Sequence, residues 1–85
     1  MKSKKFFHQG ALLKGARTRL SLSQIELAGK LGFSSQFLGR IEKGTVSMPW
    51  PSLKKACKIL GLDEFKLSNA IRTDFRNDLA RFLSH

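Results

Sequence analysis

Cysteine occurs once in the 85 residues, tyrosine not at all, histidine twice and the acidic residues six times. A single cysteine forms no internal disulfide. Cys57 lies in an apolar helical pattern with no second cysteine or nearby histidine, so it reads as a buried, inert thiol and no metal is expected. His8 and His85 stand near opposite ends of the chain, and each reads as a solvated terminal residue. With no tyrosine, no histidine inside the body, no paired carboxylates in one element and no glycine-rich loop between a strand and a helix, catalysis has nothing to rest on. The chain reads as a non-enzyme with no catalytic residues and no cofactor. A run of roughly 18 apolar residues, the length of a membrane span, is also missing. The N-terminus lacks the apolar core of a signal peptide, which makes the cytoplasm the default expectation.

Positive charge is what the chain has in abundance. Sixteen Lys and Arg face six Asp and Glu, a formal net charge of +10. Residues 1–62 carry twelve basic residues against Glu26 and Glu42 alone. Residues 63–85 carry Lys66, Arg72, Arg76 and Arg81 against Asp63, Glu64, Asp74 and Asp78, and are neutral. A polyanion is therefore the partner to expect for the first part, and a different task for the second. The 41% of apolar residues and 26% of charged ones belong to a folded, soluble chain and not to a disordered one. The length allows one domain, burying about 60% of its unfolded surface in a single core.

The most specific signal lies between Ser23 and Gly44. Ser23-x-x-Glu26 is a capping box, so a helix starts at Gln24. Ile25, Leu27, Ala28 and Leu31 follow as an apolar stripe, with Gln24, Glu26 and Lys30 off it. Gly32 accepts the left-handed conformation that ends helices. Two residues later Ser34 caps a second helix with Phe37, Leu38 and Ile41 inward, which Gly44 stops. Helices joined by so short a turn cannot lie antiparallel, and the arrangement left is a helix-turn-helix. The outer face of the second helix holds Ser34, Ser35, Gln36, Gly39, Arg40 and Lys43, with no carboxylate among them. Such a surface suits a groove lined with hydrogen-bonding edges and phosphates.

The block SQIELAGKLGFSSQFLGRIEKG resembles the lambda-type repressor and Cro (XRE-like) family, whose members often read close to SQxELAxxxGxSxxxIxxIExG. Ser23, Gln24, Glu26, Leu27, Ala28, Gly32, Ser34, Ile41, Glu42 and Gly44 match in place, with Leu38 for the usual isoleucine. The resemblance runs from about Gly10 to Leu62. It implies an all-α, five-helix lambda-repressor-like DNA-binding domain, here with an extended C-terminal helix. It also implies that Arg17 on the first helix pairs with Glu42, and that the loop after the second motif helix runs along the sugar-phosphate backbone. Two departures stand out: Ser35 replaces a longer amide or charged residue, and Met48 holds the family's usual proline place, with Pro49 following.

Around the motif the chain divides into a basic N-terminal arm (1–9), the helix-turn-helix domain (10–62) and a C-terminal helix (63–85). The arm, with Lys2, Lys4 and Lys5, reads as a frayed terminus or as a phosphate-touching segment, and Phe6 and Phe7 argue that part of it docks on the body. A first helix spans Gly10 to Leu20, with Leu13, Ala16 and Leu20 inward. Trp50 reads as a lid on the core, the other reading being a nucleotide-stacking platform, ahead of Pro51 in the first turn of a helix ending at Leu60. In the last segment Phe65, Leu67, Ile71, Phe75, Leu79, Phe82 and Leu83 form one ridge on a helix of about 20 residues, roughly 30 Å long.

These readings combine into a sequence-specific transcriptional regulator that binds a near-palindromic operator as a homodimer. Ser34, Ser35, Gln36, Gly39 and Arg40 are the candidate base contacts, and Ser23, Gln24, Lys43, Thr45 and Ser47 the candidate backbone contacts. Ile71, Phe75, Leu79, Phe82 and Leu83 are the candidate dimer interface; the other placement for that helix is a fold-back over the body. Two rival readings are an antitoxin-like module whose last helix grips another protein, and a controller protein of a restriction-modification system.

Overall fold

The computed structural model describes residues 5–83, so Lys2 and Lys4 of the arm, and His85, lie outside the described residues. Among the described residues five helices follow in order: α1 (Phe7–Arg19), α2 (Gln24–Leu31), α3 (Ser35–Lys43), α4 (Leu53–Leu60) and α5 (Glu64–Leu83). A 3₁₀ turn at Trp50–Ser52 leads into α4. No helix among the described residues is long and apolar enough to cross a membrane.

The core is built where the inward stripes meet. Leu13 and Ala16 from α1, Leu27 and Leu31 from α2, Leu38 and Ile41 from α3, Ala56, Cys57 and Leu60 from α4, and Leu67 from α5 form one buried cluster. Helix α1 is the central element and packs against α3, α4 and α5. Gly10 permits the closest approach: a Cβ there would fall on the backbone carbonyl oxygens of Ile41 and Glu42, so only glycine lets α1 lie directly against the end of α3. Burial pushes the Cys57 thiol above its ordinary value, and Glu64 and Asp63 add to the shift, which keeps it in the unreactive thiol form.

The structure departs from the sequence-based expectations at several places, among them Leu20, expected inward but 50% exposed just past the end of α1. First, α1 begins at Phe7, three residues ahead of Gly10, so the last residues of the arm belong to the folded body. Phe6 offers no capping side chain; the cap comes instead from Asp74 on α5, which accepts the backbone N–H groups of His8 and Gln9 at 2.9 Å each. His8 is exposed, as expected, but it is also tied to the body, since its Nδ1 lies 2.8 Å from the same carboxylate. Second, Ile25 is 73% exposed while Gln24 is partly buried. At about 100° per residue, the stripe Leu27, Ala28 and Leu31 centres close to Gln24 and roughly 110° from Ile25. Third, Trp50 is not a core lid but 59% exposed, while Met48 two residues earlier is buried in the core.

Fourth, α5 divides its ridge. Leu67 and Asp74 are buried, and Ile71 packs against the core, so the first half folds back over α1 and α4. Phe75, Leu79, Phe82 and Leu83 remain exposed, as does Phe65. These five apolar residues keep from 46% to 75% of their surface exposed, which is unusual for a chain this small.

Candidate nucleic-acid interface

Local chemistry builds the helix pair. The Ser23 hydroxyl accepts the Glu26 N–H at 3.0 Å, and Glu26 accepts the Ser23 N–H at 2.8 Å, which completes the capping box. Those bonds to the Ser23 backbone and side chain hold the Glu26 carboxyl below the usual glutamate range. Gly32 ends α2 in the left-handed region, with φ of 77°, and Phe33 N–H donates back to the Ala28 carbonyl at 2.8 Å. Ser34 then caps α3 by accepting the Phe37 N–H at 3.0 Å. Phe33 and Phe37 meet edge to face, ring centroids 5.0 Å apart, and brace the turn.

A buried polar network sets the orientation of α3. Arg17 Nε and Nη2 donate to the two oxygens of Glu42 at 2.7 and 3.0 Å, and Nη1 donates to the Leu22 carbonyl at 2.8 Å. Gln24 Nε2 donates to Glu42 Oε1 at 3.0 Å. One carboxylate thus ties α1 and the start of α2 to the last turn of α3. A negative group there opposes the helix dipole, and the Arg17 guanidinium offsets it.

Leu38, Ile41 and Glu42 are the buried side of α3. Gln36, Arg40 and Lys43 are exposed on the opposite side, at i, i+4 and i+7, one line about 10 Å long. None of the three side chains makes a hydrogen bond or ion pair among the described residues. Ser34 is exposed at the start of this line, while Ser35 and Gly39 are half-buried on its flank. A Cβ on Gly39 would meet only the Gln24 side chain, at 3.8 Å, so no crowding requires glycine there.

The candidate backbone contacts divide. Ser23, Lys43 and Thr45 are exposed, with the Thr45 hydroxyl and N–H both donating to the Arg40 carbonyl, at 3.1 and 3.0 Å. Gln24 is partly withdrawn into the Glu42 network. Ser47 does not face outward: its hydroxyl turns toward Gln9 Oε1 at 3.3 Å, beside Met48, whose N–H donates to the same oxygen at 2.6 Å. The motif pattern could not reveal this, because Gln9 is far away in sequence and reads there as part of a polar arm.

Comparisons with known proteins agree with the helix-turn-helix fold. A family profile described as a helix-turn-helix domain matches residues 9–67, from Gln9 to the buried Leu67. Among solved structures, the chain is similar to the clp gene regulator ClgR from Corynebacterium glutamicum. The identity is 24%, the match covers 93% of this chain and 89% of that one, and the TM-score is 0.67, a likeness of fold. No curated protein sequence matches.

Proposed function

The chain belongs to the helix-turn-helix domain family of the lambda-repressor type, and from that premise we propose that it is a sequence-specific, DNA-binding transcriptional regulator acting as a homodimer. Helix α3 enters the major groove with Gln36 and Arg40 toward the base edges. Gln36 pairs with adenine through its amide, and Arg40 with guanine or a phosphate. Ser34, Ser35 and Gly39 line the approach, and Ser23, Gln24, Lys43 and Thr45 grip the sugar-phosphate backbone.

The observation that carries the reading is the outward line Gln36–Arg40–Lys43, backed by the buried Arg17–Glu42–Gln24 network. The network offers a groove a fixed rod, and the line gives that rod one hydrogen-bonding group and two cations. The charge of +10 supplies the attraction to phosphate that any such docking needs.

Dimerisation rests on α5. The exposed Phe75, Leu79, Phe82 and Leu83 belong to the electrically balanced part of the chain. Two copies of so basic a protein repel elsewhere and meet at least cost along that helix. The same surface suits an antitoxin-like grip on another polypeptide, a reading that co-purification of a second protein would favour.

Selection of bound duplexes from a random pool, read at two salt concentrations, tests the proposal. A near-palindromic consensus is expected, with half-sites about 34 Å apart and affinity falling steeply with salt. Failure to enrich any sequence even in dilute buffer would overturn it.

A further inference from the structure

The side chain of Gln9, 0% exposed, is directed at the segment that follows α3: its Oε1 accepts the Met48 N–H at 2.6 Å and the Ser47 hydroxyl at 3.3 Å. The other end of that segment is held by the start of α1 as well. Phe6 N–H donates to the Gly44 carbonyl at 3.1 Å, and a Cβ added to Gly44 would meet the backbone of Phe7 at 3.2 Å. Residues 44–48 thus form a short bridge between two anchors on the beginning of α1. Between the anchors Thr45 is exposed, and the backbone N–H groups of Val46 and Ser47 donate to nothing among the described residues.

Stability alone does not call for an amide at position 9. Gln9 Nε2 is buried with no hydrogen-bond partner, so the residue carries an unmet donor whose penalty is of the same order as the gain from its bond to Met48. Turning the amide over does not help, because the NH₂ group would then face the Met48 N–H, donor against donor. An apolar side chain of equal length would lose the acceptor and the unmet donor together, and come out near neutral. What it could not do is fix where residues 45–48 stand.

We infer that Gln9 is a positioning residue for DNA binding: through Oε1 it sets the bridge after α3, so that the main chain of residues 45–47, with its free N–H groups, lies against a phosphate beside the groove that α3 enters. This rests on the reading of α3 as a major-groove helix. Gln9 is in turn fixed by Asp74, whose Oδ2 accepts its backbone N–H at 2.9 Å. The first turn of α1 therefore links α5 to the segment that meets the phosphate. No charge is involved at Gln9, which separates its part from that of Lys43.

Gln9→Met, which keeps the length of the side chain and removes both polar atoms, tests the inference in the full chain. Anisotropy is read on matched and scrambled duplexes, beside urea unfolding, sedimentation and ¹⁵N spectra. Affinity should fall about ten-fold for both duplexes alike, with the salt slope unchanged because no cation is lost. The Val46, Ser47 and Met48 N–H signals should move while those of α3 stay, and the unfolding midpoint and assembly state should match the parent. In the parent itself, added duplex should shift the Val46 and Ser47 N–H signals, with Met48 N–H already slow to exchange before DNA is present. A parent that binds duplex and a variant that binds it equally well would overturn the inference and leave the reading of α3 intact; a parent that binds no duplex would defeat both. A variant that unfolds, or loses stability in step with affinity, would make Gln9 merely structural. Loss confined to the matched duplex would move the effect to α3, and parent Val46 and Ser47 signals indifferent to duplex would take the bridge off the phosphate; each result overturns the assignment.

Discussion

Asp74 caps α1 at Gln9: its Oδ2 accepts the Gln9 N–H at 2.9 Å, across a separation of 65 residues. The side chain is 1% exposed and its other oxygen accepts the His8 N–H, so a carboxylate of the last helix completes the first turn of the first. A negative group at a helix N-terminus is favourable electrostatically as well as by hydrogen bonding. This bond is also why the C-terminal helix cannot be treated as an appendage of the DNA-binding body.

Asp74→Asn replaces one acceptor with an NH₂ group that faces a backbone donor. The expected loss is about 1–3 kcal/mol in urea unfolding, with the denaturant slope unchanged. His8→Ala keeps both main-chain bonds and should cost less. Equal losses from the two changes would show that the imidazole, and not the cap, is what matters.

Arg17→Met alone leaves the Glu42 carboxylate buried without its guanidinium and should cost about 3–5 kcal/mol. Removing both charges, as Arg17→Met with Glu42→Leu, should recover most of that loss. Equilibrium unfolding of the two single variants and the double variant measures the difference, and a double variant as unstable as Arg17→Met would contradict it.

The outward line on α3 separates specificity from general affinity. Gln36→Ala should relax preference at one operator position by about 1–3 kcal/mol. Lys43→Ala should weaken all duplexes alike and reduce the salt slope by about 0.9. Fluorescence anisotropy on matched and scrambled duplexes distinguishes them, and indistinguishable profiles would remove Gln36 from base reading.

Phe82→Glu tests the dimer. The side chain is 75% exposed in the single chain, so the change should leave the unfolding midpoint of the monomer nearly unaltered. Sedimentation should show a dimer for the parent chain and a monomer for the variant; a dimer in both would place the contact elsewhere.

What could be read without coordinates was whatever local chemistry controls. The capping box at Ser23, the left-handed glycines at Gly32 and Gly44 and the apolar spacing of α3 act within a few residues, so their residue types alone announce a helix-turn-helix. The uneven charge was legible for the same reason, since it is a property of the chain before folding. Tertiary structure decided whatever depends on distant partners. It brought Asp74 to the start of α1, turned Ser47 inward to Gln9, placed Met48 in the core where Trp50 was expected, and left Ile25 outside while Gln24 joined Glu42. A single residue's type says that it can donate, accept or be buried; which partner meets it depends on how α1, α3 and α5 close around one another, and that is a property of the packed body alone.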